Sequence, residues 1–540
     1  MAVRHFSASG TRSSGNSTPD DWTNANCYAF STIKTNGTNW ALSTGDEIII
    51  DDGAHTIDFL QTAASGAASG SLITIRSRSG DPDLCSIDCN SGSGTLFRFN
   101  HASKVLSAYI YGIKIKKTTT HTVNGAALVH LTGATSGDVE FENCKFDSAS
   151  LSAAGTGLNG FFSILDGISA TLRFTGCQMS NMTSSTLSGL YFGYIGTLGT
   201  MVFADCDISD ITHNTTGTAH HCTGGVQGPG GLVVINSSLT DCSSTSATNG
   251  EYDNAPFFHP GNACTIMGLT STRVTNTGAK SGATIALFKG PWTVSDTLSI
   301  DCVGTPAFIN GVDGETQNTV GGTFTAFGEA AQGTATRIRA IRCKSDFGTT
   351  WYCSQGAGGV ITDLISEYCT ARKEGAGVYA GGWGDVTVDG FRVIGAVMGL
   401  ETSGFEGWGG AMYAHNHTNS TRSKTTRYLN GVISGCRQLL DGDSGIKVRG
   451  LNETYSHSVE ITNVVIDNPG HASQIGLHET AGCALNVSGS GIVLLGGASA
   501  ITKVRAGIGV DTYAPVSALT TANLPTRWGV SQGNAARRAA

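Results

Sequence analysis

One short phrase keeps returning along this chain: apolar, any, apolar, any, a turn residue, a small or apolar residue, any, apolar. It reads AYIYGIKI at 108–115, VEFENCKF at 139–146, LRFTGCQM at 172–179, MVFADCDI at 201–208 and LVVINSSL at 232–239. Later copies are WTVSDTLSI at 292–300, VTVDGFRV at 386–393, YLNGVISG at 428–435 and VEITNVVI at 459–466. Weaker copies lie near Thr265–Val274, Arg337–Lys344 and Val360–Glu367. Alternation before the turn residue marks a strand with one buried face. The turn position holds Gly112, Asn143, Gly176, Asp205, Asn236, Gly390 and Asn463, residues that tolerate a left-handed backbone and so bend the chain sharply. A bend between two short strands, once per repeat, is what a parallel β-helix requires. A sandwich would instead show turn signals every 8–12 residues or so.

Taking the residue after the turn as reference, the series runs Ile113, Cys144, Cys177, Cys206, Ser237, Thr272, Thr297, Cys343, Ile365, Phe391, Ile433, Val464. Most intervals lie between about 22 and 35 residues, the period of stacked supersecondary units. The longer steps from Thr297 to Cys343 and from Phe391 to Ile433 predict insertions. The expected fold is all-β, a single-stranded right-handed parallel β-helix of about 12 coils. Residues 1–44 form an N-terminal arm and cap, 45–500 the helix, and 501–540 a C-terminal arm with Trp528 as an anchor. A solenoid accommodates 540 residues in one repetitive core, since each coil packs only on its neighbours.

Composition agrees. Gly reaches 74, Pro only 10, and charged residues make up 14%, while the 39% hydrophobic fraction suffices for a core. A net charge of −8 without a basic stripe argues against nucleic-acid binding. No apolar run approaches the roughly 18 residues of a membrane span, so no membrane insertion is expected. The opening MAVRHFSASGTRSSGNS lacks the apolar segment of a secretory signal, so the expectation is either synthesis without Sec export or a leader that has been removed. Of the 15 cysteines, Cys144, Cys177 and Cys206 fall at one repeat position and are expected to stack as buried reduced thiols. No CxxC-type spacing points to a metal, and no cofactor is expected.

The opening adds a likeness. Asp21-Trp22 with Ala25, Tyr28 and Phe30, then Gly45-Asp46-Glu47-Ile48-Ile49-Ile50 and Asp52-Gly53, resembles the first coil of pectin-lyase-like right-handed β-helix proteins. The resemblance implies that residues 20–40 cap the core and that Gly45–Asp52 starts the coils. The same fold serves polysaccharide lyases, glycoside hydrolases, adhesins and bacteriophage tailspikes, so it leaves function open.

Candidates for chemistry are few. Asp441-Gly442-Asp443 and Ile446-Lys447-Val448-Arg449 are similar to fragments of polygalacturonase-like hydrolases, with the Arg/Lys order reversed and no Gly-His element before them. Asp441, Asp443, Lys447 and Glu406 are therefore the catalytic candidates, against the simpler reading of a Gly-rich turn. Asp205, Asp207 and Asp210, and likewise Asp51 and Asp52, are close enough for a lyase-type calcium cluster, although Asp205 occupies a bend. The insertion 401–424 brings Phe405, Trp408 and Tyr413 near His415 and His417, and 251–262 carries Tyr252, Phe257, Phe258 and His259. These aromatics suit glycan or partner binding; anchoring the loops to the helix body is the simpler role. The insertion 310–335 is a third place where function could lie.

Two functions follow as expectations. The preferred one is a bacteriophage virion structural protein (a spike, fibre or appendage), a reading that leans against enzymatic activity while leaving it open. It would be a homotrimer bound to other virion proteins and to host-surface polysaccharide, the trimer by analogy with phage β-helices. The alternative is a polysaccharide-degrading enzyme, a lyase or glycoside hydrolase.

Overall fold

The computed structural model describes residues 3–13, 16–33, 45–57, 60–62, 71–101, 106–123, 126–133, 137–152, 159–186, 190–215, 226–246, 258–276, 283–304, 322–398, 410–416, 421–438, 443–450, 454–468, 475–479, 485–496, 500–503 and 512–516. The chain forms two compact units, Met1–Cys264 and Thr265–Ala540. Each is an all-β parallel β-helix, as the repeat predicts. Among the described residues the only helical piece is a single 3-10 turn, Phe30–Thr32.

In the first unit each coil contributes a strand, a corner, a second strand and then a third. Gly137–Glu142, Ala170–Thr175, Thr200–Ala204 and Gly231–Ile235 pair in parallel register. Beyond the corner, Lys145–Leu151, Gln178–Thr186 and Asp207–Thr215 do the same. Together these strands make a bent sheet. The third strands, among them Ala126–Gly133, Asn159–Ile164 and Leu190–Ile195, form a separate flat sheet. Phenylalanines fill the space between. Phe141 stacks on Phe174 at 5.6 Å and Phe174 on Phe203 at 5.2 Å, with Phe162 edge-on to Phe174 at 4.7 Å. Full burial of such side chains contributes roughly 1.5–3 kcal/mol each. The N-terminal strand Val3–Ser7 pairs with both Tyr28–Ala29 and Glu47–Ile50, so the chain enters the sheet well before Gly45.

The corners are double. Asn143, Gly176, Asp205 and Asn236 adopt positive φ, and so do Ser148, Asn181, Asp210 and Asp241, each five residues later. In the second unit the pairs are Asp296 and Asp301, Arg337 and Arg342, Asp363 and Tyr368, Gly390 and Gly395, and Asn430 and Gly435. The backbone ladder runs straight through them. Asn143 N–H donates to Thr175 O of the next coil, and Lys145 N–H to Ile113 O of the previous one.

This doubling corrects the repeat series beyond Ser237. Thr297, Phe391 and Val464 follow a first corner, whereas Cys343 follows a second one. Thr272 immediately precedes the second corner Arg273; Ile365 and Ile433 lie two and three residues beyond Asp363 and Asn430. The phrase looked single because first corners other than Arg337 are Gly, Asn or Asp, whereas second corners also admit Ser148, Arg273, Arg342 and Tyr368.

The thiols have a definite task. Cys177 Sγ donates toward Phe141 O at 3.3 Å and Thr175 O at 3.6 Å, and Cys206 Sγ toward Phe174 O and Ala204 O, both at 3.4 Å. Cys302, Cys343, Cys369 and Cys436 repeat the pattern after second corners. Ser237 fills the same place and bonds Ile235 O at 2.9 Å. A small apolar residue with one weak donor therefore fits inside each of these corners and adds a second, weak partner to carbonyls already in the ladder, as Thr175 O is through Asn143 N–H. All the described cysteines that are free thiols are buried, and burial raises the Cys242 and Cys436 thiols to about 12, which makes them poor nucleophiles.

The corner geometry makes a direct prediction. Asp205→Gly should leave stability unchanged or higher, while Asp205→Val should cost about 1–2 kcal/mol, read from denaturant midpoints. Equal loss in both variants would contradict a conformational role.

Candidate functional site

Side chains on the outward face of the bent sheet in the first unit line up in columns, because parallel register places each over its partner. Tyr109, Glu140 and Arg173 form one column, and Tyr111, Glu142 and Thr175 the next. Val139 and Phe141 point to the core between them, so Glu140 and Glu142 share the outer face. Diagonal bonds tie the columns. Tyr109 Oη donates to Glu142 Oε2 at 2.9 Å, and Thr175 Oγ1 to Glu140 Oε1 at 2.9 Å. The Tyr109 and Tyr111 rings lie 6.2 Å apart and nearly parallel. Tyr109, Tyr111, Glu140 and Glu142 are half-buried and Arg173 is exposed, so solvent reaches the cluster. Burial, then the bond to Glu142 and its charge, push the Tyr109 phenol far up; it stays a proton donor. Of the other carboxylates of this unit, Asp147 is paired with Lys114 and Asp51 with Arg78, while Asp88, Asp166 and Asp207 accept from hydroxyl groups. Glu140 and Glu142 make no such ion pair among the described residues.

The second unit carries a contrasting cluster on the outer face of its flat sheet. Tyr352, Tyr379 and Tyr413 stand in register with Lys447 and then His478. The rings stack at 4.8 Å and 5.1 Å, and Phe347 packs edge-on to Tyr379. Tyr379 Oη and His415 Nδ1 are hydrogen-bonded at 3.0 Å. Gly381 makes room, since a Cβ there would meet the Tyr379 ring at 2.2 Å. Tyr352, Tyr379, Tyr413, His415 and Lys447 are all buried. Their aromatic area is used in packing and is closed to a polymeric ligand.

The residues singled out from the sequence thus separate. Tyr413 and Lys447 come together as register partners, but on strands Met412–Asn416 and Asp443–Gly450 and buried, not on an exposed insertion. Phe258 begins the strand Phe258–Pro260 and is buried within 6.5 Å of Phe203. Asp443 starts its strand. Asp441, Glu406, Phe405, Trp408, Tyr252 and Phe257 lie outside the described residues. Asp205 and Asp210 occupy left-handed corners, and Asp207 accepts from Ser238 Oγ. Asp51 bonds Arg78, and Asp52 bonds Ser79. Among the described residues no group of three His, Cys, Asp or Glu could hold a metal ion.

Glu140 and Glu142 were missed although both sit inside the phrase VEFENCKF. Their alternation with Val139 and Phe141 reads as an ordinary solvent face. Only the register with Tyr109 and Arg173, about 30 residues away on either side, distinguishes them.

No family profile matches the sequence, and no curated protein does. Among solved structures the chain is similar to the pectate lyase Pel9A, at 13% identity and a TM-score of 0.35, covering 70% of this chain and 77% of that one. It is also similar to the PL6 family alginate lyase AlyGC, at 10% identity and a TM-score of 0.17, covering 88% and 98%.

Beneath the tyrosine stack, Lys424 is buried and Nζ donates to Ala380 O at 2.9 Å and His415 O at 2.6 Å. Burial lowers its pKa from 10.5 to about 7. Between those values the unfolded chain binds the proton and the folded chain does not, so stability rises with pH across that window. Relative to Lys424→Met, the wild type should therefore gain up to about 1.4 kcal/mol per pH unit there, measured by urea unfolding at several pH values. A pH-independent difference would show that the ammonium remains charged.

Proposed function

We propose that this chain is a polysaccharide-degrading enzyme, with Glu140 and Glu142 as its acid–base pair on the open face of the bent sheet. The observation that carries the proposal is the convergence of two carboxylates without an ion-pair partner, two near-parallel tyrosines and an exposed arginine on adjacent coils. The Cα atoms of residues two apart on a strand are separated by roughly 6.6 Å, a backbone spacing from which two glutamate side chains can reach the 5–9.5 Å or so over which paired carboxyls cleave glycosidic bonds. One carboxyl would protonate the leaving oxygen while the other acts on water or on the anomeric carbon. The tyrosine rings offer a surface for a sugar ring. Arg173, in register with Glu140, would meet an acidic substituent on the polymer. The Tyr109 hydroxyl orients Glu142, and Thr175 orients Glu140, each from a neighbouring coil.

The test is release of new reducing ends from a panel of neutral and acidic polysaccharides, with unsaturated products followed in parallel by absorbance. Glu140→Gln and Glu142→Gln should each lower turnover at least a hundredfold or so, while Asp147→Asn should not. Turnover indifferent to both glutamates would refute the assignment, and glycan retention without any cleavage would refute the enzyme reading itself.

A further inference from the structure

The strand Lys114–His121 carries a lysine into the interior of the first unit. Lys117 and Cys89 are both wholly buried, at 0% exposure. Lys117 Nζ lies 3.3 Å from Cys89 Sγ and donates to Ser91 O at 2.6 Å and Gly94 O at 2.8 Å. Cys89 Sγ in turn reaches Gly94 O at 3.7 Å. Nitrogen and sulfur are thus held in contact by carbonyls of the segment just after Cys89, with both side chains shielded from water.

Capping turn carbonyls does not by itself call for a thiol. Lys424 performs that task in the second unit through two carbonyl oxygens. At Lys117 a third direction of the nitrogen is aimed at sulfur. Burial shields an oxidised sulfur from bulk water, and the lysine nitrogen stands in contact with it at 3.3 Å. Dioxygen, being small and apolar, can enter a packed core that excludes larger oxidants.

We propose that Cys89 and Lys117 are the two ends of an oxidant-dependent covalent bridge in which one oxygen atom joins the lysine nitrogen to the cysteine sulfur. With the amine form of Lys117 the step balances as R–NH2 + HS–R′ + O2 → R–NH–O–S–R′ + H2O. The nitrogen and the sulfur each lose a hydrogen and two electrons. One oxygen atom enters the bridge, and the other leaves as water with both hydrogens. A dithiol in excess reverses the step, returning amine, thiol and water. The bridge would close a loop of 28 residues, which restricts the unfolded chain and raises the unfolding temperature.

The experiment splits reduced protein into one portion kept under dithiol and one exposed to air or dilute peroxide. Both are then denatured, alkylated and mapped by peptide mass spectrometry. The expected result is a linked peptide containing Cys89 and Lys117, one oxygen heavier and two hydrogens lighter than its parts. It should disappear on reduction and be absent from Lys117→Arg, in which Cys89 alkylates fully. The oxidised portion should also melt at a higher temperature than the reduced one. Recovery of Cys89 as a free thiol after oxidation, or as a sulfenic or sulfinic acid with Lys117 still cleaved by trypsin, would overturn the proposal. The wild-type measurement stands alone, whether or not the variant folds.

Discussion

Two left-handed residues, five positions apart, turn most of the coils through their bend (those at Gly112 and Asn463 use one), and the remaining features of both units depend on these corners. An L-residue in this conformation costs roughly 1–2 kcal/mol, least for Asn and Asp, and Gly avoids the cost, so the chain meets it in full where another residue stands at a corner, as at Ser148, Arg342 and Tyr368. It offsets the cost by keeping the backbone ladder unbroken through the bend, as at Asn143, whose N–H still reaches Thr175 O. It also places a small thiol or hydroxyl inside the corner, within hydrogen-bond reach of strand carbonyls, as at Cys177 and Ser237. Because the pair recurs in the same register, every side chain next to a corner stands over its counterpart in the next coil.

Register turns linear sequence into columns, and columns determine what each face can do. Where the column is aromatic and covered, as with Tyr352, Tyr379 and Tyr413, it behaves as core, and even a buried Lys424 serves to hold strand ends together. Where it is polar and open, as with Tyr109, Glu140 and Arg173, groups from three coils meet within reach of a polymer. Corner columns are themselves joined. Arg337 holds Asp296 and Arg342 holds Asp301 through paired hydrogen bonds, linking left-handed residues of adjacent coils. These pairs are exposed, so water screens them and their contribution is small; their effect is to occupy the corner edges.

The fold was legible in the sequence because first corners favour Gly, Asn and Asp, and because Phe and Val alternate before them. Second corners were less legible: Asn181, Asp210, Asp241, Asp301, Gly395 and Gly435 are turn residues, but the others are not. Ser148, Arg273, Arg342 and Tyr368 carry no turn signature, and they adopt positive φ only because the coils on either side dictate the path. Tyr413 and Phe258 were assigned to insertions because neighbouring glycines and polar residues interrupt the alternation, although both lie on short strands. The candidate site was the least legible part. Glu140 and Glu142 have the spacing of any solvent-facing strand residues, and their distinction comes from Tyr109 and Thr175 on other coils. Lys117 stands at the end of the run KIKK at 114–117, and a lone buried lysine has no local signature.

In-register stacking of parallel coils is the central claim, and an engineered disulfide tests it most directly. Thr336 and Thr362 are register partners whose hydroxyls lie 2.9 Å apart, and paired strands bring their Cα atoms to roughly 4.8 Å, within the range a disulfide spans. Thr336→Cys with Thr362→Cys should crosslink under mild oxidation, identified by peptide mapping, while Thr334→Cys with Thr362→Cys should not. Crosslinking of the offset pair, or failure of the matched pair in folded protein, would contradict the register on which the whole description rests.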